Sequence, residues 1–419
     1  MGKGFLARQA VTAALTANAI RPFPGFRSGI PAFFAGWLTG ELAPHVLAVT
    51  VADAATHSFG ARRDVRGLAL AGLSTAGLLF LVEQSRRAVD HAEDSLTEAL
   101  GADYVEQLDE APTPADLAIE WRRLLNPFAF GRAARRAGVR VQRDVPFAPF
   151  GKRGMLDIYT SENTPSSGAP VLLQVHGGAW VIGTKEQQGL PLMQHMAAKG
   201  WVCVAINYRL APRDRWPAQI EDVKRAIAWV KENIADHGGD PDYLAITGGS
   251  AGGHLTALAA LTPDEPEFQP GFEDADTSVQ VAVPHYGVYD WSGESGNRNV
   301  ELMRDLFLAK RVVQKPYDAA REVYERATPL LRVTHDAPDF YVIHGSHDTL
   351  VGVHQARELV RRLRDISKRT VVYTELPGAQ HAFDIFPSIR SQHVVKAIDR
   401  YLHWHWNSWR SERQEARTA

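Results

Sequence analysis

The chain has a single cysteine among its 419 residues, and this scarcity excludes several kinds of protein. Cys203 has no partner for a disulfide within the chain, and structural zinc sites built on several cysteines are ruled out. An excess of charge of one sign is also lacking, since 46 basic side chains stand against 48 acidic ones. This balance, a formal net charge of −2, argues against a nucleic-acid-binding protein.

Signatures of bound cofactors are lacking as well. The sequence has neither the G-x-x-x-x-G-K pattern of phosphate-binding loops nor a G-x-G-x-x-G pattern between a strand and a helix. The acidic residues Asp290, Glu294 and Asp305 show no spacing typical of metal ligands. We therefore expect no cofactor and no metal ion.

The sequence also lacks an uninterrupted run of about 20 apolar residues, the length that a membrane-spanning helix needs. Residues 67–82 are uncharged but fall short of that length, and residues 30–52 are interrupted by Glu41, Pro44 and His45. Three interpretations of the apolar helical N-terminal region, residues 1–83, stay open. Two membrane helices could form a hairpin through small residues in 67–76. Alternatively, the helices could lie on a membrane surface or pack against the rest of the protein.

The third interpretation is a signal peptide, because Lys3 and Arg8 precede a short apolar run and Ala17-Asn18-Ala19 mimics a cleavage site. Basic residues lie on both sides of each apolar run, so they do not give the orientation of a membrane segment. We expect association with a membrane, with a cytoplasmic protein as the alternative. The sequence does not indicate an oligomeric state.

From about Val139 onward, short apolar β-rich runs alternate with helical patterns. This alternation predicts βαβ units and a mostly parallel central sheet with helices on both faces. The predicted strands are residues 171–175, 201–206, 243–247, 279–285, 340–344 and 370–376. Cys203 lies in one of them and is predicted to be a core residue. We assign residues 141–410 to one α/β domain, residues 84–140 to a helical linker or cap, and residues 411–419 to a polar tail.

The most specific motif is G-x-S-x-G, present as GGSAGG at positions 248–253. It follows one predicted strand and precedes a helical pattern at 251–260, which is the setting that a nucleophilic serine requires. Glycines flank Ser250 because side chains there would block so tight a turn. The start of the helix adds a dipole that favours a developing oxyanion. Ser250 is therefore a candidate nucleophile.

A second glycine motif, HGGAW at 176–180, follows the predicted strand 171–175. Its glycines let backbone N–H groups face a cavity, where such groups bind the oxygen of a tetrahedral intermediate. An ordinary flexible loop is the alternative interpretation. The serine motif downstream favours the catalytic one.

The acid and the histidine of a serine triad should follow the serine in that order. Asp348 lies just past the predicted strand 340–344, and His381 follows the predicted strand 370–376. Loops at these strand ends are where an α/β sheet places functional groups. A carboxylate there would hold the tautomer of the imidazole, which would accept the serine proton. Each residue alone is an ordinary loop residue, but the ordered set of motifs makes Asp348 and His381 triad candidates.

These motifs resemble the hormone-sensitive-lipase-like family of α/β-hydrolase carboxylesterases. The resemblance covers residues 145–405 and includes NYRLAP at 207–212, WPA at 216–218 and the pair Glu221-Asp222. It implies the α/β-hydrolase fold with an α-helical N-terminal extension. It also implies a serine carboxylesterase or lipase-like hydrolase that cleaves a small-molecule or lipid ester through an acyl-enzyme.

The resemblance assigns roles to individual residues. Ser250 becomes the nucleophile, Asp348 the acid and His381 the base. The oxyanion hole is implied to be formed by the backbone amides of Gly177, Gly178 and Ala251.

Two positions depart from the family pattern. Gly249 stands where an aspartate is common, and Ala179, followed by Trp180, replaces the third glycine of the oxyanion loop. We expect the backbone donors to survive both changes and His176, Trp180 and Gly249 to shape the substrate pocket. The H-G-G-x-W loop is also similar to that of aryl formamidases, so a formamidase or an acyltransferase with the same triad stays an alternative. FFAGWL at 33–38 resembles the extension of membrane-associated actinobacterial esterases.

Overall fold

A computed structural model describes residues 2–23, 25–59, 64–126 and 135–418, and its centre is one eight-stranded sheet. The strands lie in the order β1-β2-β4-β3-β5-β6-β7-β8. The pairs β1–β2 and β2–β4 are antiparallel, and the other neighbours are parallel. The strands are β1 (Val139–Pro146), β2 (Met155–Ser161), β3 (Ala169–Val175), β4 (Val202–Ile206), β5 (Gly239–Gly249), β6 (Val281–His285), β7 (Asp339–Gly345) and β8 (Val371–Leu376).

Helices surround the sheet and also form the N-terminal region. They are α1 (Gly2–Ile20), α2 (Gly29–Glu41), α3 (Ala43–Ser58), α4 (Val65–Arg86), α5 (Ala88–Leu100), α6 (Pro114–Leu117), α7 (Trp121–Leu124), α8 (Leu190–Ala198), α9 (Ala218–Asn233), α10 (Ala251–Leu261), α11 (Arg298–Met303), α12 (Arg321–Arg326), α13 (His354–Ile366) and α14 (Ile389–Thr418). A π-helix, Arg304–Val312, follows α11.

The predicted α/β-hydrolase fold is confirmed, and the six predicted strands correspond to β3 through β8. Strand β3 shows why these runs read as continuously apolar. Its Val171 and Leu173 pack with α9, α10 and α13 on one face of the sheet, while Leu172 packs with α5, α8 and α14 on the other. A parallel strand covered on both faces is buried on both, so its sequence is a nearly continuous apolar run.

Strands β1 and β2, which form an antiparallel hairpin, were not among the predicted strands. Along β1, half-buried and exposed residues alternate, because this strand lies at the edge of the sheet. Such an edge strand carries a weaker apolar signal than a central parallel strand. Cys203, on β4, is fully buried and confirms the prediction of a core residue.

In the N-terminal region, α4 packs against α1 and α3. Helix α1 packs closely against two glycines of α4. A Cβ on Gly77 would lie 2.6 Å from Thr16 Cγ2, and one on Gly67 would lie 2.6 Å from the Phe5 ring. The glycines therefore let the two helices approach each other.

Helix α2 lies against the loops that follow β7 and β8. Trp37 Nε1 donates a hydrogen bond to the carbonyl of Ala382 (2.8 Å), and Thr349 Oγ1 donates to the carbonyl of Gly29 (2.9 Å). Within the segment predicted as linker or cap, α5 packs on β8 and α14 instead. The structure thus places a helix of the apolar N-terminal region over these two loops, and a cap formed by residues 84–140 stays a prediction.

Within the described ranges, the continuous helical segment 65–100 is long and apolar enough to cross a membrane, and 28% of its most apolar window is buried. A second candidate, α2 followed by α3, is bent by 79°. Length and composition are weak evidence by themselves, since core helices of soluble proteins pass the same test.

A buried ion pair joins α2 to the α/β domain. The carboxylate of Glu41 accepts hydrogen bonds from the Arg390 guanidinium and from Ser388 Oγ, and both charged side chains are only 1% exposed. Removing one member of such a pair leaves a buried charge without its partner.

We expect Glu41→Ala to lower the free energy of unfolding by about 3–5 kcal/mol, the usual result of breaking a buried pair from one side. Urea unfolding at neutral pH, with limited proteolysis of the N-terminal region, measures the effect. The double variant Glu41→Met, Arg390→Met should lose less than Glu41→Ala, because no uncompensated charge remains. A double variant at least as unstable as Glu41→Ala would contradict this interpretation.

Candidate active site

Ser250 occupies a strained turn between β5 and α10. Its φ of +61° and ψ of −121° lie outside the regions that side chains other than glycine normally adopt. The backbone is held there because the Ser250 N–H donates to the carbonyl of His285 on the neighbouring strand (3.0 Å). Glycine is required two positions later, since a Cβ on Gly252 would lie 2.1 Å from the carbonyl oxygen of Val175. The turn therefore presents the serine as the sequence predicts for a nucleophile.

Gly249, the departure before the serine, is explained by its neighbour Tyr286. A Cβ on Gly249 would lie 2.5 Å from Tyr286 Oη and 2.7 Å from Tyr286 Cζ. The phenol thus fills the space that a side chain at position 249 would need. Sequence reasoning missed Tyr286, although it directly follows β6, whose end lies beside the serine turn.

His381 and Asp348 are in contact, as the triad assignment requires. His381 Nδ1 lies 2.6 Å from Asp348 Oδ2, and both side chains are buried. The other carboxylate oxygen of Asp348 accepts the N–H groups of Leu350 (2.9 Å) and Val351 (2.8 Å). These bonds fix the carboxylate so that it can orient the imidazole.

Electrostatics keep Asp348 ionised. Burial raises the pKa of its carboxyl, but the hydrogen bonds and charges of His381 and His344 outweigh burial, and the pKa lies well below its usual range. His344 Nε2 is 3.3 Å from Asp348 Oδ2 and was not among the predicted residues. A carboxylate that is charged at neutral pH stabilises the imidazolium that forms when the histidine accepts a proton.

Tyr286 lies next to His381 and to Gly249, the residue before Ser250. The Tyr286 ring centroid is 4.6 Å from that of His381, and Tyr286 Oη covers Gly249 next to the serine. Among the described residues, Ser250 Oγ forms no hydrogen bond to His381. Catalytic hydrogen bonds are often long before substrate binds.

The HGGAW loop lies against the serine turn. Gly178, Ala179 and Trp180 all have positive φ angles, of 116°, 52° and 62°. A Cβ on Gly177 would lie 3.2 Å from Ser250 Cβ, which shows how closely the loop approaches the serine.

One of the three predicted oxyanion donors is already bonded. The Gly177 N–H donates to Gln188 Oε1 (2.7 Å), a side chain that no sequence motif indicated. In the part of the chain that the structure describes, the N–H groups of Gly178 and Ala251 donate to no protein acceptor. These two amides are therefore the ones available to a substrate oxygen.

His176 and Trp180, predicted to shape the substrate pocket, are 0% and 2% exposed. The His176 ring stacks on Tyr208 with centroids 4.2 Å apart, and Trp180 Nε1 donates to His254 Nδ1 (3.2 Å). Burial lowers the pKa of His176 to about 4, so its ring is neutral at physiological pH. Both side chains of the loop are therefore packed inside the protein.

Within the described residues, no group of three or more His, Cys, Asp or Glu side chains is arranged so that it could hold a metal ion.

The chain as a whole is similar to known ester hydrolases. A family model described as BD-FAE matches residues 156–363. The "Probable carboxylic ester hydrolase LipM" of Mycobacterium tuberculosis is 43% identical over 416 residues, 95% of this chain and 92% of that protein. "Esterase LipQ" of the same organism is 41% identical over 88% of this chain and 83% of its own length.

Among solved structures, an inhibited esterase B from Lactobacillus rhamnosis has a TM-score of 0.56 at 19% identity, over 70% of this chain and 94% of its own. That likeness shows the fold. The relatives' names specify ester hydrolysis and give no support to the formamidase and acyltransferase alternatives.

Two buried histidines should make the protein sensitive to acid: His176, which begins the HGGAW loop, and His254, which accepts a hydrogen bond from Trp180 of that loop. Burial lowers the pKa of His254 to about 3 and that of His176 to about 4, whereas in an unfolded chain a histidine titrates near 6.5. Between these values the unfolded chain binds more protons than the folded one. The free energy of unfolding should therefore fall as the pH decreases from about 6.5 to 4.

His254→Gln should make the free energy of unfolding less dependent on pH. About 3 kcal/mol of the loss at pH 4 should disappear with this one histidine, because each pKa unit of its shift contributes about 1.4 kcal/mol. Urea unfolding at several pH values measures the slope. His335→Gln, at an exposed position, is the matched control and should leave it unchanged. An equal slope in His254→Gln and the control would refute the prediction.

Proposed function

Since the chain belongs to the hormone-sensitive-lipase-like family of carboxylic ester hydrolases, we propose that Ser250, His381 and Asp348 are its catalytic triad. The observation that carries the proposal is the 2.6 Å contact between His381 Nδ1 and Asp348 Oδ2. The strained turn at Ser250, close to the glycine loop, supports it. Together these groups supply a nucleophile, a base and an orienting carboxylate.

In the proposed reaction, Ser250 Oγ attacks the ester carbonyl carbon while His381 Nε2 accepts the hydroxyl proton. The tetrahedral intermediate then collapses, and His381 returns the proton to the leaving alcohol. An acyl-enzyme on Ser250 remains. Water, deprotonated by His381, attacks this second ester, and the carboxylic acid leaves with Ser250 restored.

The N–H groups of Gly178 and Ala251 are the proposed oxyanion donors. Ala251 is the first residue of α10, so the helix dipole adds to its effect on a developing negative charge. Gly177 would join them only if Gln188 released its amide.

Ser250→Ala should lower kcat for p-nitrophenyl esters by at least about 10⁴-fold, because the acyl-enzyme can no longer form. Labelling by a fluorophosphonate should disappear as well. Ser95→Ala is the matched control, since Ser95 Oγ only donates to a carbonyl within α5. Retained turnover in Ser250→Ala would exclude the proposed nucleophile. Product analysis with an added alcohol separates hydrolysis from acyl transfer.

The N-terminal helices are proposed to bind a lipid surface, which would bring the triad to a lipid ester or another membrane-dissolved ester. Helix α2 has no charged residue before Glu41. Phe33 on one face is buried against the domain, while Ile30, Phe34 and Leu38 are 58%, 52% and 41% exposed. These three lie four residues apart and share one face of the helix.

Charge supports the same partner. Residues 1–87 contain nine Lys and Arg against four Asp and Glu, a net charge of +5, although the whole chain carries −2. The rest of the chain is therefore acidic. A basic region with exposed apolar side chains fits an anionic bilayer.

The triple variant Ile30→Ser, Phe34→Ser, Leu38→Ser should bind vesicles of phosphatidylcholine and phosphatidylglycerol at least about tenfold more weakly, because burying each large side chain contributes about 1.5–3 kcal/mol. Co-sedimentation measures binding. The control Leu306→Ser, Ile366→Ser changes similarly exposed side chains of the catalytic domain and should bind normally. Equal binding by both variants, or none by the unmodified protein, would rule out this surface.

A further inference from the structure

We propose that Tyr286 is a positioning residue that sets His381 relative to Ser250 and does so from the space left vacant by Gly249. The inference deepens the proposed function, because it rests on the triad of Ser250, His381 and Asp348. No sequence motif marks this tyrosine.

The first observation is the fit between Tyr286 and Gly249. A Cβ on Gly249 would meet three phenol atoms, Oη at 2.5 Å, Cζ at 2.7 Å and Cε2 at 2.8 Å. A Cβ atom does not come this close to a neighbouring atom, so a side chain at 249 would displace the ring. The Tyr286 ring can therefore occupy this place only because position 249 has no side chain.

The second observation is the contact with the histidine. The Tyr286 ring lies 4.6 Å from the His381 ring, centroid to centroid, at an interplanar angle of 58°. It also contacts Phe383 from the same loop, with centroids 5.3 Å apart. Tyr286 is fully buried and therefore limits where the imidazole can move.

The third observation is that Tyr286 is held at both ends. Its N–H donates to the carbonyl of Ile343 on β7 (2.7 Å), although its φ of +36° is strained. Its Oη donates to Asp384 Oδ1, and the other oxygen of Asp384 lies 3.0 Å from His285 Nδ1. Asp384 is three residues after His381, so this bond ties the histidine loop to the strand beside the serine.

The same contacts exclude a role in proton transfer. Burial and the neighbouring carboxylate of Asp384 raise the pKa of Tyr286 well above its ordinary value. The hydroxyl proton is committed to Asp384. Tyr286 therefore acts through the position of His381 and does not itself exchange a proton with the substrate.

The experiment compares Tyr286→Ala and Tyr286→Phe by steady-state kinetics with p-nitrophenyl esters. Tyr286→Ala should lower kcat about 10- to 100-fold, the effect expected of a misplaced catalytic group, with KM changed less than about twofold. Tyr286→Phe keeps the ring and should retain at least about a third of the rate. A rate in Tyr286→Phe as low as in Tyr286→Ala would overturn the role assigned to the ring.

Tyr341→Ala is the matched control for a merely structural effect. Tyr341, on β7, is also a buried tyrosine, and its hydroxyl contacts Thr374 Oγ1 at 3.0 Å. It should lower thermal stability about as much as Tyr286→Ala but leave kcat of the folded enzyme unchanged. Equal losses of kcat in the two variants would overturn the proposal.

A second pair of variants tests the coupling without removing the ring. Gly249→Ala should lower kcat about tenfold, because the new Cβ displaces Tyr286. The double variant Gly249→Ala, Tyr286→Ala should have a kcat within about twofold of that of Tyr286→Ala. The added methyl has no ring left to displace, and the effects of residues in contact are not independent. Independent, multiplying effects would refute the coupling.

Fluorophosphonate labelling separates this inference from the triad on which it rests. Labelling that survives in Ser250→Ala means that the triad is wrong. Labelling that depends on Ser250 and runs at the unmodified rate in Tyr286→Ala means that the triad is right and the positioning role is wrong. Slower labelling in Tyr286→Ala, with Ser250 required, supports both.

Discussion

The tight turn at Ser250 is the constraint on which the arrangement of the other proposed catalytic groups depends. A serine with positive φ at the end of a central strand is stable only where neighbouring backbone holds it, and here the carbonyl of His285 does so. Around this turn, the backbone of Val175 and His176 leaves no room for a side chain at 252, and the Tyr286 ring fills the space beside Gly249. Tyr286 directly follows the neighbouring strand β6.

The loops after β7 and β8 carry the proposed acid and histidine, and contacts from outside the sheet hold both of them. Backbone N–H groups fix Asp348, while Tyr286 and Phe33 lie against the His381 ring, the latter with centroids 6.0 Å apart. Because Phe33 belongs to α2, the N-terminal region is physically part of the histidine's surroundings. The proposed lipid-binding surface and the proposed triad therefore contact the same helix.

Much of this could be predicted from the sequence because the relevant signals are local. Parallel strands buried on both faces appear as continuous apolar runs, and a nucleophile turn needs glycines at fixed offsets from Ser250. The contributions of Tyr286, Gln188 and His344 could not be predicted in the same way. Each acts through a contact between residues distant in sequence or through a side chain with many ordinary uses, and no spacing rule marks it.

The sequence by itself determined the α/β architecture, the order of the motifs and the candidates Ser250, Asp348 and His381. Short stretches of sequence are enough to specify strand ends and glycine turns. Only the tertiary structure decided that Gly177 is bonded to Gln188, that His176 and Trp180 are buried, and that α2 lies over the histidine loop. These outcomes depend on close packing between segments far apart in the chain, which no local pattern records.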